Sequence, residues 1–283
     1  MALERIAQKH YRRSSSTTRQ VVEAVLAIWN ATGPSGFRDE LVRAAGLLAA
    51  GQLSQAVQAA AYLAALTDWY GMDAAPTTVV PRAFAGTSSA GAPLTDVLGY
   101  AITRAEVLSD AGADLATATT SATATLTRIA ANETTQAGVS AERIGMVGQS
   151  DFSGYARILS PPSCGRCAVL AGKWFQWNTG FARHPGCDCR HVPAPAAADV
   201  TQVRADPRAY FDALSPAQQD HYFGRSEAEA IRGGADLAKA VNATTVRGSR
   251  SGLSTPRSIE RLIAGKSRAD AIDVLTRYGL LAA

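Results

Sequence analysis

Residues 164–191 read CGRCAVLAGKWFQWNTGFARHPGCDCRH, and this stretch decides how the fold around it is held together. It contains all four cysteines and two of the four histidines of the 283-residue chain. Thiolates and imidazoles are the ligands that tetrahedral zinc prefers. A Cys-x-x-Cys pair followed across a loop by a second ligand group is a usual spacing for structural zinc sites. The stretch therefore predicts a zinc site.

Six side chains compete for the four positions of a closed zinc site. Cys164 and Cys167 are the firmest pair, because their spacing lets both thiolates face one ion. The remaining two ligands are drawn from His184, Cys187 and Cys189. His191 ranks last, since it leads into a proline-rich segment. Reduced thiols or disulfides are the alternatives to metal, and the lack of a signal-peptide pattern at the N-terminus favours metal.

Short strands are predicted on both sides of the Cys-x-x-Cys turn. Tyr155, Arg157 and Leu159 alternate with smaller residues, and residues 173–177 (KWFQW) are aromatic with a period of two. The cysteine pair would then lie on a tight turn between two strands. Residues 193–198 (PAPAAA) are predicted to be a linker or a wrapping segment.

Helices are predicted on either side of this module. Apolar residues recur at helical spacing over 18–30, over 41–64, from Leu94, and over about 114–138. Residues 72–93 are rich in proline, glycine, serine and threonine and predict a connecting loop, with at most a short extended piece at Val79 and Val80. Trp29 lies on an apolar stripe and is predicted to be core.

Helical patterns return after the module. Asp206-Pro207 and Ser215-Pro216 are typical helix starts, residues 231–241 predict a further helix, and residues 256–281 a terminal helical pair. The fold class is therefore mainly α, with a small α+β zinc-stabilised module inserted between helical N- and C-terminal regions. The predicted regions are 1–93, 94–200 and 201–283.

Polar residues near the end of the fourth predicted helix leave two interpretations. One interpretation is a solvated helix face formed by Arg128, Asn132 and Glu133. The alternative is that these side chains make buried polar contacts to the module that follows.

The sequence lacks the motifs of the common zinc and nucleophile enzymes. His-Glu-x-x-His, Gly-x-Ser-x-Gly and the phosphate-binding loop are absent, and Pro162-Ser-Cys164 does not fit the deaminase pattern. A zinc-supported HNH-type nuclease is harder to exclude, with His184 as a faint catalytic candidate. The net charge of +4 permits contact with nucleic acid without demanding it. No apolar run approaches the length needed to span a bilayer.

The order of these motifs resembles the phage head-morphogenesis family, the Mu F-like minor capsid proteins. The resemblance rests on Arg128-x4-Glu133, then Cys-x-x-Cys-x-x-Leu-x-Gly-Lys from Cys164, an aromatic strand, and His-Pro-x-Cys-x-Cys from His184. It covers roughly residues 94–195, and the tail is similar to versions carried by phages of actinobacteria. Asp188 departs from the family, which usually has a basic residue between the last two cysteines.

The resemblance implies a virion component of few copies, associated with the portal on the inside of the phage head. Its implied role is structural and not enzymatic, in procapsid assembly, DNA packaging or DNA delivery. The implied partners are the portal protein and the major capsid or scaffold proteins, with non-specific phosphate contacts to packaged DNA through dispersed arginines and the loop 247–250. A nucleic-acid-binding module of cellular origin is the second alternative, beside the nuclease.

Overall fold

A computed structural model describes residues 2–159, 161–179, 190–197, 199–200, 206–243, 263 and 265–282. In this part of the chain the helices are α1 (Ala2–Gly36), α2 (Leu41–Tyr70), α3 (Leu94–Asp110), α4 (Leu115–Gly148), α5 (Gly165–Leu170), α6 (Pro207–Asp212), α7 (Pro216–Phe223), α8 (Arg225–Arg232), α9 (Leu237–Ala243) and α10 (Arg268–Arg277). The strands are β1 (Thr78–Val79), β2 (Gly154–Ile158), β3 (Trp174–Gln176), β4 (Arg190–Ala194) and β5 (Leu281–Ala282). A mainly helical chain with little sheet is therefore confirmed.

Four long helices, α1 to α4, form a bundle. α1 begins 16 residues before the predicted start at Thr18, although its serines and threonines favour helix weakly. Tertiary contacts compensate, because Gln58 Nε2 on α2 donates to Thr17 Oγ1 at 2.8 Å. Gly51 of α2 lets α1 approach closely, since a Cβ there would lie 2.3 Å from Val21 Cγ2.

The core between these helices is apolar at one end of the bundle. Trp29 is 1 % exposed, which confirms it as core, and its ring lies edge-on to Phe37 at 5.1 Å. Its indole Nε1 donates to Thr123 Oγ1 at 2.8 Å, which satisfies the one polar atom that burial would otherwise leave unpaired.

Helix α4 is the central element of the fold. Asp114 caps its start by accepting from the backbone N–H of Thr117, and the helix continues to Gly148, beyond the predicted end near Gly138. From Glu133 to Gly148 all residues except Thr135 are buried, although several are polar or charged. A helix enclosed on all sides has no amphipathic stripe, which is why its periodicity fades in the sequence.

The module after α4 is a three-stranded antiparallel sheet with β2 between β3 and β4. Both strands predicted beside the cysteine pair, at β2 and β3, are confirmed. β4 corrects a prediction, because residues 193 and 194 continue this strand and are buried, where a linker was expected. An edge strand tolerates Pro193, since its missing N–H need not face a partner strand.

The C-terminal helices α6 to α9 pack on α5 through a second apolar cluster. Asp206 caps α6, and Ser215 with Gln218 forms a capping box at the start of α7, so both predicted helix starts are confirmed. The helix predicted over 231–241 is instead divided between α8 and α9, with Gly233 and Gly234 between them. Of the predicted terminal helical pair, the structure describes α10.

A two-stranded pairing of β1 with β5 joins the 72–93 connection to the end of the described chain. This confirms the connection with a short extended piece, which is followed by a 3-10 helix over Pro81–Phe84. None of the helices in the described ranges is both long and apolar enough to cross a membrane.

Candidate metal site and buried histidine–glutamate cluster

The cysteine turn, Cys164 to Cys167, begins a helix and is not the tight turn between strands that we predicted. Cys164 is the N-cap residue of α5, with extended backbone, and Cys167 lies in the first helical turn. Their Sγ atoms are 3.4 Å apart. Two thiolates on one tetrahedral zinc, each at about 2.3 Å, are separated by somewhat more than this, so the pair fits two ligand positions after a small adjustment.

The other predicted ligands, His184, Cys187 and Cys189, lie outside the described residues. Within the described ranges no group of three His, Cys, Asp or Glu side chains is arranged to hold a metal ion. The ligand set and the zinc therefore stay predictions, with two of the six candidate side chains, Cys164 and Cys167, placed close together.

The cysteine turn lies where the sheet meets the C-terminal helices. Cys167 is 2 % exposed and belongs to the apolar cluster beneath the sheet, whereas its neighbours Ala168 and Val169 belong to the cluster formed with Phe211 and Phe223. A Cβ on residue 165 would lie 2.8 Å from Phe223 Cδ1, so glycine permits this contact.

Tyr210 of α6 fastens the start of α5. Its hydroxyl accepts from the backbone N–H of Ser163 at 2.7 Å and donates to the carbonyl oxygen of the same residue at 2.8 Å. Burial raises the pKa of Tyr210, and the nearby Cys164 and Cys167 add to this effect. Movement of the cysteine turn would therefore disturb α6 directly.

A second group of polar residues, which are far apart in the sequence, lies inside the bundle. His10 on α1, Glu142 on α4 and His191 on β4 form what we call the buried cluster. The Glu142 carboxylate accepts from His10 Nε2 at 2.7 Å through Oε1 and from His191 Nδ1 at 2.9 Å through Oε2. The three side chains are 5, 2 and 1 % exposed.

Tyr62 of α2 closes one side of the buried cluster. Its ring stacks on the His10 imidazole with centroids 4.2 Å apart and planes 2° from parallel, and its hydroxyl donates to the His191 carbonyl oxygen at 2.9 Å. Burial, with the nearby Glu142 charge, raises the pKa of Tyr62 well above its ordinary value. The phenol therefore remains a hydrogen-bond donor.

A neighbouring chain of hydrogen bonds anchors the start of β4. Arg190 Nη2 donates to Ser14 Oγ at 2.8 Å, and this hydroxyl donates to Gln55 Oε1 at 2.7 Å. Gln55 Nε2 in turn donates to the Ser14 carbonyl oxygen at 2.8 Å and to Thr18 Oγ1 at 3.0 Å. β4 is therefore bound through side chains to α1, α2 and α4.

The charge state of the buried cluster follows from these contacts. Burial alone would raise the pKa of Glu142, but the charge of His10 and the hydrogen bonds from both imidazoles hold it well below its ordinary range. Burial lowers the pKa of His191 to about 4, aided by Arg157 and Arg143, although its bond to Glu142 opposes this. At neutral pH an ionised Glu142 therefore accepts Nδ1–H from a neutral His191.

Chemically, this arrangement orients two imidazoles and fixes three elements. Each carboxylate oxygen is occupied by a different histidine, and all three side chains are closed off from solvent. Buried ionisable groups at helical spacing look like a solvated face in a sequence, so Glu142 and Arg143 gave no signal. The sequence ranks His191 last among the candidate zinc ligands, and its described contact is with Glu142.

Glu133 corrects the solvated-face interpretation. It is 9 % exposed, and its carboxylate accepts from the Ser89 backbone N–H at 2.5 Å and from Ser89 Oγ at 3.1 Å. The contact is to the 72–93 connection and not to the following module, which was the alternative. Arg128 is exposed, as a solvated face requires, and Asn132 is half-buried.

The chain matches the model of one protein family, described as VG15 protein, over residues 1–216. The matched region includes the four-helix bundle, the sheet, the cysteine turn, and all three residues of the buried cluster. No curated protein and no solved structure matches the chain. Because the match spans most of the sequence, the chain belongs to the VG15 family, a family associated with phages.

Proposed function

We propose that this protein is a phage minor capsid protein of head morphogenesis, associated with the portal and located inside the virion head. Its role is structural and not enzymatic, in procapsid assembly, DNA packaging or DNA delivery. The observation that carries the proposal is the match to a phage-associated family over 1–216, which encloses the cysteine motif on which the Mu F-like resemblance rests.

A structural zinc ion is part of this proposal. Cys164 and Cys167 would supply two ligands, with the other two from His184, Cys187 and Cys189. When bound, the metal supplies no reaction and neutralises the thiolates. The 3.4 Å approach of the two Sγ atoms and the position of α5 between two apolar clusters support a fastening role.

The proposed partners are the portal protein and the major capsid or scaffold proteins. A chain that assembles with them must present a fixed surface, because ordering a mobile surface on binding reduces affinity. The buried polar contacts between β4 and three helices of the bundle support such rigidity.

Particle composition tests the proposal. Heads and DNA-filled virions of a phage encoding this chain would be purified, and the chain quantified against the major capsid protein by mass spectrometry. We expect it in both kinds of particle, at far lower copy number than the major capsid protein, and co-purifying with detergent-released portal. Deletion of the gene is expected to reduce infectious titre, and the wild-type gene supplied in trans to restore it.

The contradicting result is a chain absent from purified particles whose deletion leaves head yield and titre unchanged. A nuclease role would be favoured by plasmid cleavage with Mg²⁺ or Mn²⁺ that disappears in His184→Ala. In the particle-composition test the control variant is Glu106→Gln, which removes an exposed ion pair with Arg38. We expect this variant to be incorporated into particles like wild type.

A further inference from the structure

The exposed side of α1 carries five cations on one face. We call Arg5, Lys9, Arg12, Arg13 and Arg19 the cationic face; all five are exposed. At 100° per residue they fall within an arc of about 120° around the helix axis. The buried residues of α1, among them Leu3, Ala7, His10 and Ser14, lie on the opposite side.

Acidic residues are missing from this segment. Residues 5–22 contain five cations and no aspartate or glutamate, whereas the whole chain has 28 lysines and arginines against 24 acidic residues, a net charge of +4. Without the five cations, the remainder of the chain has a net charge of about −1. This part of one helix therefore carries a local excess of five positive charges.

The neighbouring helices do not neutralise the cationic face. α2 contains no acidic residue between Leu41 and Thr67, and the two in α4, Glu133 and Glu142, are buried and hydrogen-bonded. Among the described residues, Arg5, Lys9, Arg12 and Arg13 form no ion pair, and only Arg19 reaches a carboxylate, that of Glu23 at 3.9 Å.

From these observations we propose that the cationic face of α1 binds the phosphate backbone of duplex DNA without reading its sequence. The face extends about 21 Å from Arg5 to Arg19 at 1.5 Å per residue. A duplex presents one negative charge per about 1.7 Å of its axis, so several phosphates lie within reach of flexible lysine and arginine side chains. Ser16 and Gln20 lie on the same arc and add neutral hydrogen-bond donors.

This inference deepens the proposed function by naming the surface that contacts DNA, and its test needs only the purified full-length chain. Binding would be measured by fluorescence anisotropy with two short duplexes of unrelated sequence, over a range of salt concentrations. We expect equal affinities for the two sequences. The logarithm of the association constant should fall with the logarithm of salt with a slope of about −3 to −4.

A fourfold variant, Arg5→Gln, Lys9→Gln, Arg12→Gln and Arg13→Gln, tests the location. We expect it to weaken binding at least about tenfold and to remove most of the salt slope, because each lost phosphate contact reduces the slope by about one. The matched control changes four exposed arginines on other elements, Arg82, Arg128, Arg225 and Arg277, to glutamine. It removes the same charge and should retain most of the affinity and the slope.

Three results would overturn the inference: equal losses in both fourfold variants, wild-type protein that does not bind duplex, or binding to anionic lipid vesicles in preference to duplex. Circular dichroism checks that both variants fold. If the first does not fold, the double variant Lys9→Gln and Arg12→Gln must still reduce the slope by about two. Absence of the chain from virions would refute the head-morphogenesis proposal while leaving this binding result unaffected.

Discussion

The buried cluster and the cysteine turn hold the same sheet in different ways. The buried cluster joins β4 to α1 and α4 through a carboxylate with a histidine on each oxygen. The cysteine turn instead begins a short helix, packs between two apolar clusters, and places two thiols 3.4 Å apart. The first is complete within the described residues, whereas the second is, in our proposal, half of a zinc site whose other ligands are among His184, Cys187 and Cys189.

The difference shows that a recognisable motif and a strong structural contact need not coincide. Cys-x-x-Cys is conspicuous because cysteine is rare and its spacing is local. His10, Glu142 and His191 are separated by up to 181 positions in sequence, and their pairing depends on how α1, α4 and β4 pack. Changing each region separately tests how much stability it provides.

The largest effect is expected at Glu142. Glu142→Gln keeps the shape of the side chain but removes its charge. The amide NH2 group of the glutamine would then face an imidazole N–H, so that two donors meet without an acceptor. We expect the free energy of unfolding to fall by about 3 kcal/mol, measured by urea denaturation. Glu106→Gln, which removes an exposed carboxylate paired with Arg38, should change it by less than about 0.5 kcal/mol. Equal losses in the two variants would show that the buried cluster contributes no more to the free energy of unfolding than an exposed ion pair does.

Acid should weaken the buried cluster next. Both Glu142 and His191 have a lowered pKa in the folded protein, so the unfolded chain binds more protons as the pH falls. The contribution of neutral His191 to the free energy of unfolding is fully present above about pH 6.5 and is lost as the pH falls to about 4. The expected loss is up to about 3 kcal/mol. The loss of the Glu142 contribution begins near its ordinary pKa and continues below it.

Urea denaturation between pH 7 and pH 4, with a chelator present so that metal release does not contribute, would measure this loss. His191→Asn should flatten the dependence between pH 6.5 and pH 4. A wild-type free energy that stays constant over this range would contradict the proposed protonation states.

A smaller effect is expected at Gly165, beside the cysteines. A methyl group in Gly165→Ala would meet Phe223 and Val241, and we expect a loss of about 1 to 3 kcal/mol with faster proteolysis of α6 to α9. Gly46→Ala, where a Cβ meets nothing within 4 Å in α2, should instead stabilise by about 0.5 to 1 kcal/mol. Unchanged proteolysis in Gly165→Ala would show that α5 does not secure the C-terminal helices.

Local patterns in the sequence predicted the elements that depend on local chemistry. The caps at Asp206 and Ser215, the strands beside the cysteine pair, and the apolar stripe with Trp29 were predicted because each has its signal within a few residues. β4 was missed because Pro193 and Pro195 indicate a linker, and only the pairing with β2 makes this segment a buried edge strand. The end of α4 was missed because complete enclosure removes the periodic pattern.

For the candidate site, the sequence predicted the cysteine pair but not the side chains that contact it. It could not indicate that Tyr210 holds Ser163, or that Glu133 turns toward Ser89, since these contacts join distant segments. The cationic face of α1 was visible in the sequence as dispersed arginines. It forms one surface because α1 extends through residues 5 to 19 with its opposite side buried.

The central claim, that the cysteine turn is half of a structural zinc site, is tested most directly by metal and thiol analysis of freshly purified protein. We predict one zinc ion per chain in wild type and almost none in the Cys164→Ser, Cys167→Ser double variant. Wild type should lose thermal stability on chelation, whereas the double variant should show no further change. Protein that contains no zinc and in which thiol titration finds two disulfides would contradict the claim.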